Sequence, residues 1–154
     1  MYYRGMEPTK PCIFCITDPA KGVGGNPADP VVKAYNHWWL ILQTAEKRAS
    51  TKQAAGMLIP KRHVPVVSEL KPEEAAELFA IYKDAGKMLC ETVGATYTGQ
   101  ETVGFNEGPA AGQTIQHAHI HVLPVAEEDP EALKVRGGMG GAFEALRAER
   151  LHDA

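Results

Sequence analysis

The stretch "GQTIQHAHIHVLP", Gly112 to Pro124, sets His117, His119 and His121 on alternate positions, with Ala118, Ile120 and Val122 between them. In an extended strand, successive side chains point to opposite faces, so this spacing predicts a row of imidazoles on one side and an apolar set packed into a core on the other. Successive rings would stand ~6.6 Å apart, from a rise of ~3.3 Å per residue. The alternation commits this part of the chain to a sheet with one buried face.

The other segments fit around such a sheet. "HWWLIL", His37 to Leu42, predicts a short buried strand, and "GMLIP", Gly56 to Pro60, a second strand closed by its proline. "TVGFN", Thr102 to Asn106, and "TIQHAHIHVLP" predict two more, joined by the turn-rich "EGPAAGQ". Between them, Pro72 to Val93 predicts a helix: Pro72 opens it, Glu73 and Glu74 occupy its first turn, and Gly94 follows its end. Its apolar face runs Leu78, Phe79, Tyr82, Ala85, Leu89 and Val93, at spacings of three and four. The segment "DPAKGVGGNPADP", Asp18 to Pro30, predicts a loop, "EKRAST" a polar connection, and Ala142 to Leu151 a short C-terminal helix after the glycine-rich "RGGMGG". The strands are not arranged as βαβ units, so the expected class is α+β, an antiparallel sheet of about five strands carrying one long helix. At 154 residues, the whole chain is expected to form a single domain, with its core at about 12–124 and a tail over 125–154.

Charge narrows the function classes. The net charge is −3 and the sixteen basic residues are scattered, which argues against a nucleic-acid partner but leaves room for a small anionic ligand. "MYYRGMEPTK" lacks an apolar core of the secretory type, and no run of residues approaches the length of a membrane span, so a cytoplasmic protein without a membrane partner is expected. Three cysteines without an export signal disfavour a disulfide framework, and Cys90 reads as a buried apolar residue of the helix.

The histidine row admits three readings. It could be a solvated strand face, though three imidazoles in register make that a poor account. It could be a catalytic metal site, but such sites normally add carboxylates, and no Asp or Glu lies between Gly108 and Ala126. In the third reading the middle His is a nucleophile toward phosphorus, with one neighbour fixing its tautomer and another neutralising the phosphate. The leader "PAAGQT" favours this reading: Gly112 permits close backbone approach, Gln113 offers an amide, and Thr114 a hydroxyl for a departing oxygen.

"GFNEGPAAGQTIQHAHIHVLP" resembles the signature of the histidine triad nucleotide hydrolases and transferases. "IPKRHV", "LKPEEAAEL" and "CIFC" match as well, in the family's order, over about Cys12 to Pro124. The resemblance implies a histidine triad (HIT) fold, a homodimer, and attack by His119 on the α-phosphorus of a nucleotide. It implies that His121 contacts the phosphate oxygens, that Thr114 serves the leaving oxygen, and that Gln113, Gly112 and Asn106 position the nucleotide. At the end of "HWWLIL", where the family often carries an acidic residue or Asn for the ribose, the nearest candidate is Gln43. The "AAGMLIPK" segment also departs from the family, which usually has Gly-His before that strand.

Cys12 and Cys15 have the spacing of a zinc half-site, which alone stays open between zinc, redox chemistry and coincidence. A redox pair would be expected to open a helix in a βαβ setting, whereas this one precedes a Pro/Gly-rich loop. The resemblance implies a structural zinc held by Cys12, Cys15, His63 and His117, so that His117 anchors the active strand and is neither acid nor base. The implied activity is hydrolysis at an α-phosphorus, with a dinucleoside polyphosphate such as diadenosine tetraphosphate favoured and an adenosine phosphoramidate next. Phosphorolysis and nucleotidyl transfer would share the same intermediate. A nucleotide-binding adaptor with an idle triad is the alternative of another class.

Overall fold

A computed structural model describes residues 11–43 and 54–128. The connection "EKRAST", the "RGGMGG" stretch and the expected C-terminal helix lie outside the described residues. In chain order the elements are β1 (Thr17–Asp18), β2 (Gly22–Val23), β3 (Val31–Ala34), β4 (Trp38–Leu42), β5 (Gly56–Pro60), α1 (Pro72–Thr92), β6 (Tyr97–Gly104) and β7 (Ile120–Ala126). Strands β3 to β7 form one antiparallel sheet in the order β3-β4-β5-β7-β6, with α1 on one face, and the α+β expectation holds.

The sheet's two faces do different work. Even-numbered residues of β4, β5 and β7 (Trp38, Leu40, Leu42, Leu58, Ile120 and Val122) pack with Ile81, Ala85, Leu89 and Cys90 of α1. Cys90 is the buried apolar residue its context suggested. Gly56 lets the helix approach: a Cβ there would stand 2.4 Å from the Ile41 carbonyl oxygen and 2.5 Å from a Leu89 methyl. The opposite face carries Trp39, Ile41, Met57 and Ile59, and β7 adds His121, directly across from Met57. The segment around Phe14 and Val23 covers this second face.

Several boundaries differ from the sequence reading. The loop expected from Asp18 contains the β1–β2 hairpin, in which Asp18 Oδ1 accepts the backbone N–H groups of Ala20 and Lys21 and Gly22 takes a φ of 83°. Strand β3 was not expected, and β6 begins five residues earlier than Thr102, accommodating Gly99 at φ 81° in an irregular stretch. Helix α1 begins at Pro72 as expected and ends one residue early, but Phe79 of the expected apolar face is 77% exposed, its place inside being taken by Ile81. Trp38 is fully buried and donates its indole N–H to the Glu74 carbonyl, while Trp39 lies on the other face beneath the Lys61 ammonium.

One ion pair fixes the loop after β5. Glu74, in the first turn of α1, is almost fully buried; its carboxylate accepts two N–H groups of Arg62 and the backbone N–H of Lys71. The Arg62 hydrogen bonds hold this carboxyl below its ordinary range against the opposing effect of burial. Arg62 is 40% exposed, so solvent screens the pair from one side, and Glu74→Gln is expected to cost about 2 kcal/mol in a denaturant melt. Because folding lowers this pKa, the contribution is complete above the unfolded value near 4.5 and lost as pH falls through the folded value. The stability gap between wild type and variant should therefore narrow on acidification.

Candidate functional site

The strand expected over "TIQHAHIHVLP" starts only at Ile120, so His117 and His119 precede it. The ladder between β5 and β7 ends at Leu58↔Ile120, and Pro60 has no N–H with which to extend it. Beyond that point the two chains stay joined differently. Ala118 N–H donates to the Val64 carbonyl at 2.7 Å, and the His117 Nε2–H donates to the Pro60 carbonyl at 2.8 Å. Residues 61–63 bow out between these contacts and bring His63 over the first histidine, their rings 5.0 Å apart.

Four of the expected residues converge at this point. The ligand atoms of Cys12, Cys15, His63 and His117 all lie within 4.8 Å of one another. Cys15 Sγ is 3.1 Å from His63 Nδ1, His63 Nδ1 is 3.2 Å from His117 Nδ1, and Cys12 Sγ is 3.5 Å from His117 Nδ1. A tetrahedral zinc with bonds of about 2.0–2.3 Å would set its donors ~3.3–3.8 Å apart. The donor set fits that ion in kind, number and spacing. A carbonyl can only accept, so the Pro60 contact places the His117 proton on Nε2 and turns the Nδ1 lone pair toward the cysteines, the outer support a ligating imidazole requires.

Burial shapes the protonation of this cluster. Burial, with Cys12 beside it, pushes the Cys15 thiol up to about 11. Burial also pushes His117 down to about 4, against the Pro60 hydrogen bond and with His63 and His119 adding to the depression. Cys15 therefore resists ionisation and His117 resists protonation. A divalent metal would take the neutral imidazole as it stands and would displace the thiol proton, binding the thiolate.

The second group of residues surrounds His119. Its Nδ1–H donates to the His117 backbone carbonyl at 2.9 Å, and this fixes the tautomer with the lone pair on Nε2. His121 stands beside it, the two rings 5.2 Å apart and nearly perpendicular, and both histidines are buried. The loop leading to them is built on glycines. Gly112 has a φ of 98°, and a Cβ on it would approach the Asn106 amide nitrogen to 3.4 Å. Gln113 is buried with its side chain fully engaged: Oε1 accepts the Gly108 N–H, and Nε2 donates to the carbonyls of Pro65 and Ile115. In this geometry Gln113 is a brace for the loop rather than an amide held out to a ligand. Thr114 is exposed, and Asn106 is half-buried beside Gly112.

Gln43 follows Ile41 by two residues, so it belongs to the histidine face, at the far end of β4, where its N–H donates to the Ala55 carbonyl. It is buried, and its side-chain Oε1 has no hydrogen-bond partner among the described residues. The sequence reading gave no role to Phe14, although it lies inside the quoted "CIFC". Its buried ring meets His117 at 5.7 Å and His119 at 5.4 Å between centroids. Arg62 and Glu74, which tie down the loop carrying His63, were also overlooked; the only hint was a basic residue next to a candidate ligand.

Comparison with known proteins adds the following. The model of the HIT domain matches residues 45–128. An uncharacterized HIT-like protein of Mycobacterium tuberculosis is 31% identical over 130 residues, which covers 84% of this chain and 80% of that one. The asymmetrical bis(5'-nucleosyl)-tetraphosphatase of Schizosaccharomyces pombe is 30% identical over 73 residues, 47% of this chain and 38% of its own. The fold is also that of a Zn-bound histidine triad family protein from Mycobacterium smegmatis, whose crystal structure matches with a TM-score of 0.57 at 23% identity, covering 90% of this chain and 92% of that one.

Proposed function

Because the chain belongs to the HIT domain family, we propose that it is a nucleotide hydrolase that cleaves at an α-phosphorus through a nucleotidyl-histidine intermediate on His119. The observation that carries this reading is the hydrogen bond from His119 Nδ1–H to the His117 carbonyl, which sets the lone pair on Nε2, as a nucleophile toward phosphorus needs. Dinucleoside polyphosphates are the favoured substrates, in keeping with the partial likeness to the yeast tetraphosphatase.

In the first step His119 Nε2 forms a bond to the α-phosphorus, and the bond from phosphorus to the bridging oxygen breaks. The Thr114 hydroxyl serves the departing oxygen, and His121 stabilises the charge on the non-bridging oxygens. In the second step water attacks the phosphorus in line, the nitrogen–phosphorus bond breaks, and nucleoside monophosphate leaves with overall retention. Positioning and electrostatics supply most of the acceleration in such transfers. Zinc held by Cys12, Cys15, His63 and His117 would be structural, fixing the segment from which His119 projects. The proposal includes a homodimer, which sedimentation of the purified chain tests.

The Gly112 loop would receive the phosphates, with Asn106 beside it, Gln113 bracing it and Gln43 the candidate for the sugar. Gly112→Ala is expected to cost about 1–2 kcal/mol through its left-handed φ, and to raise KM about tenfold as the loop shifts. Melting curves and steady-state kinetics on the same preparation check both effects. The reading as a whole is tested by ion-exchange separation of products from diadenosine tetraphosphate, an adenosine phosphoramidate and a nucleotide sugar. Nucleoside monophosphate from at least one of them is the expected result. A folded protein that binds nucleotide and turns over none of them would be an adaptor instead.

A further inference from the structure

The geometry points to Phe14 as a positioning residue: its ring, carried between Cys12 and Cys15, holds the His119 imidazole in the orientation that lets Nδ1–H reach the His117 carbonyl. It thereby links the metal-binding turn to the reacting nitrogen. The catalytic part of this inference rests on the function proposed above.

The turn itself shows where its apolar side chains go. Ile13 and Ile16 are 47% and 50% exposed, whereas Phe14 is 3% exposed and packs with Val23, Ile41 and Ile59. Its backbone is fixed on both sides: Cys15 N–H donates to the Cys12 carbonyl, Ile16 N–H to the Ile13 carbonyl, and the Thr17 hydroxyl to the Phe14 carbonyl. Two metal-bound sulfurs would clamp the same turn from the side-chain end.

The inserted ring meets both imidazoles nearly edge-on, at 86° to His117 and 76° to His119. His119 is thus flanked by Phe14 at 5.4 Å and by His121 at 5.2 Å. A half-turn of its imidazole about the Cβ–Cγ bond would replace Nδ1 by a carbon at the His117 carbonyl. That turn needs room beside the ring, and one flank is occupied by the Phe14 ring at 5.4 Å. A smaller or mobile side chain at position 14 removes the barrier without replacing a metal ligand, a phosphate contact or the His119 hydrogen bond itself.

The test uses the full zinc-loaded chain with 15N-labelled histidine, as wild type, Phe14→Leu and Phe14→Ala. Zinc content, kcat, KM and the long-range 15N–1H spectrum are measured at one neutral pH. Leucine nearly keeps the apolar volume but not the flat wall, so Phe14→Leu should retain zinc and a KM within about twofold of wild type. Its kcat should fall about tenfold or more, and His119 should show a second tautomer or exchange broadening while His117 stays unchanged. A wild-type kcat and a single His119 tautomer in Phe14→Leu would overturn the inference, as would a loss of kcat that only follows loss of zinc. Should wild type turn over no nucleotide, the proposed function fails, but the spectrum still decides: a second tautomer in the variants upholds the role of Phe14, and an unchanged one ends it.

Discussion

Replacing His119 by alanine is expected to lower kcat by about a thousandfold or more, with the fold and the metal retained. The substitution removes the nitrogen that would carry the nucleotidyl group, and no neighbour is placed to take over. His117 has its Nε2–H engaged with the Pro60 carbonyl and its Nδ1 turned into the sulfur cluster. His121 stands one imidazole further along the strand, displaced from His119 by 5.2 Å between centroids, much more than in-line attack tolerates. The fold should survive because the flanking strand is held by Ile120 and Val122 in the helix-side core. Nucleotide affinity should change much less than kcat, which separates loss of chemistry from loss of binding.

The second large effect concerns the metal. Cys12→Ala with Cys15→Ala is expected to abolish zinc binding and to lower the melting temperature by about 10 °C or more. Structural zinc contributes directly to folding free energy in small sites of this kind, and here it would join three segments distant in sequence: the turn at 12–15, the loop at 63 and the lead-in to β7 at 117. Activity of the same variant should fall with its folded fraction, since the ion would fix the segment whose His117 carbonyl orients His119. A brief exposure of wild type to chelator should leave activity intact until the protein unfolds, as expected for a structural ion. Immediate loss, reversed by added metal, would instead support a catalytic metal on the histidine row.

The alternation at 117–121 was legible because period two has one meaning in an extended chain, and Ile120 and Val122 do face the helix-side core. "GMLIP" was legible to the residue because glycine and proline mark its ends. The start of β7 was not, since its pairing with β5 stops at Leu58↔Ile120 and gives way to single contacts with Pro60 and Val64, a tertiary arrangement no periodicity shows. Strand β3 and the β1–β2 hairpin are too short to show a period and form by pairing with neighbours. Phe79 was assigned to the apolar face by spacing, but the helix turns Ile81 inward instead. In the site, the residue types of the Cys/His quartet announced their chemistry, whereas Phe14 and Gln113 act through packing and loop bracing, which no motif spells out.

The central claim is that His119 carries the nucleotidyl group, and peptide mass spectrometry of the enzyme quenched in alkali during turnover of diadenosine tetraphosphate tests it most directly. The account predicts an adenylyl adduct on the peptide that contains His119, formed within one turnover and absent from His119→Ala. Turnover by wild type with no adduct on that peptide, or the same adduct persisting in His119→Ala, would contradict it.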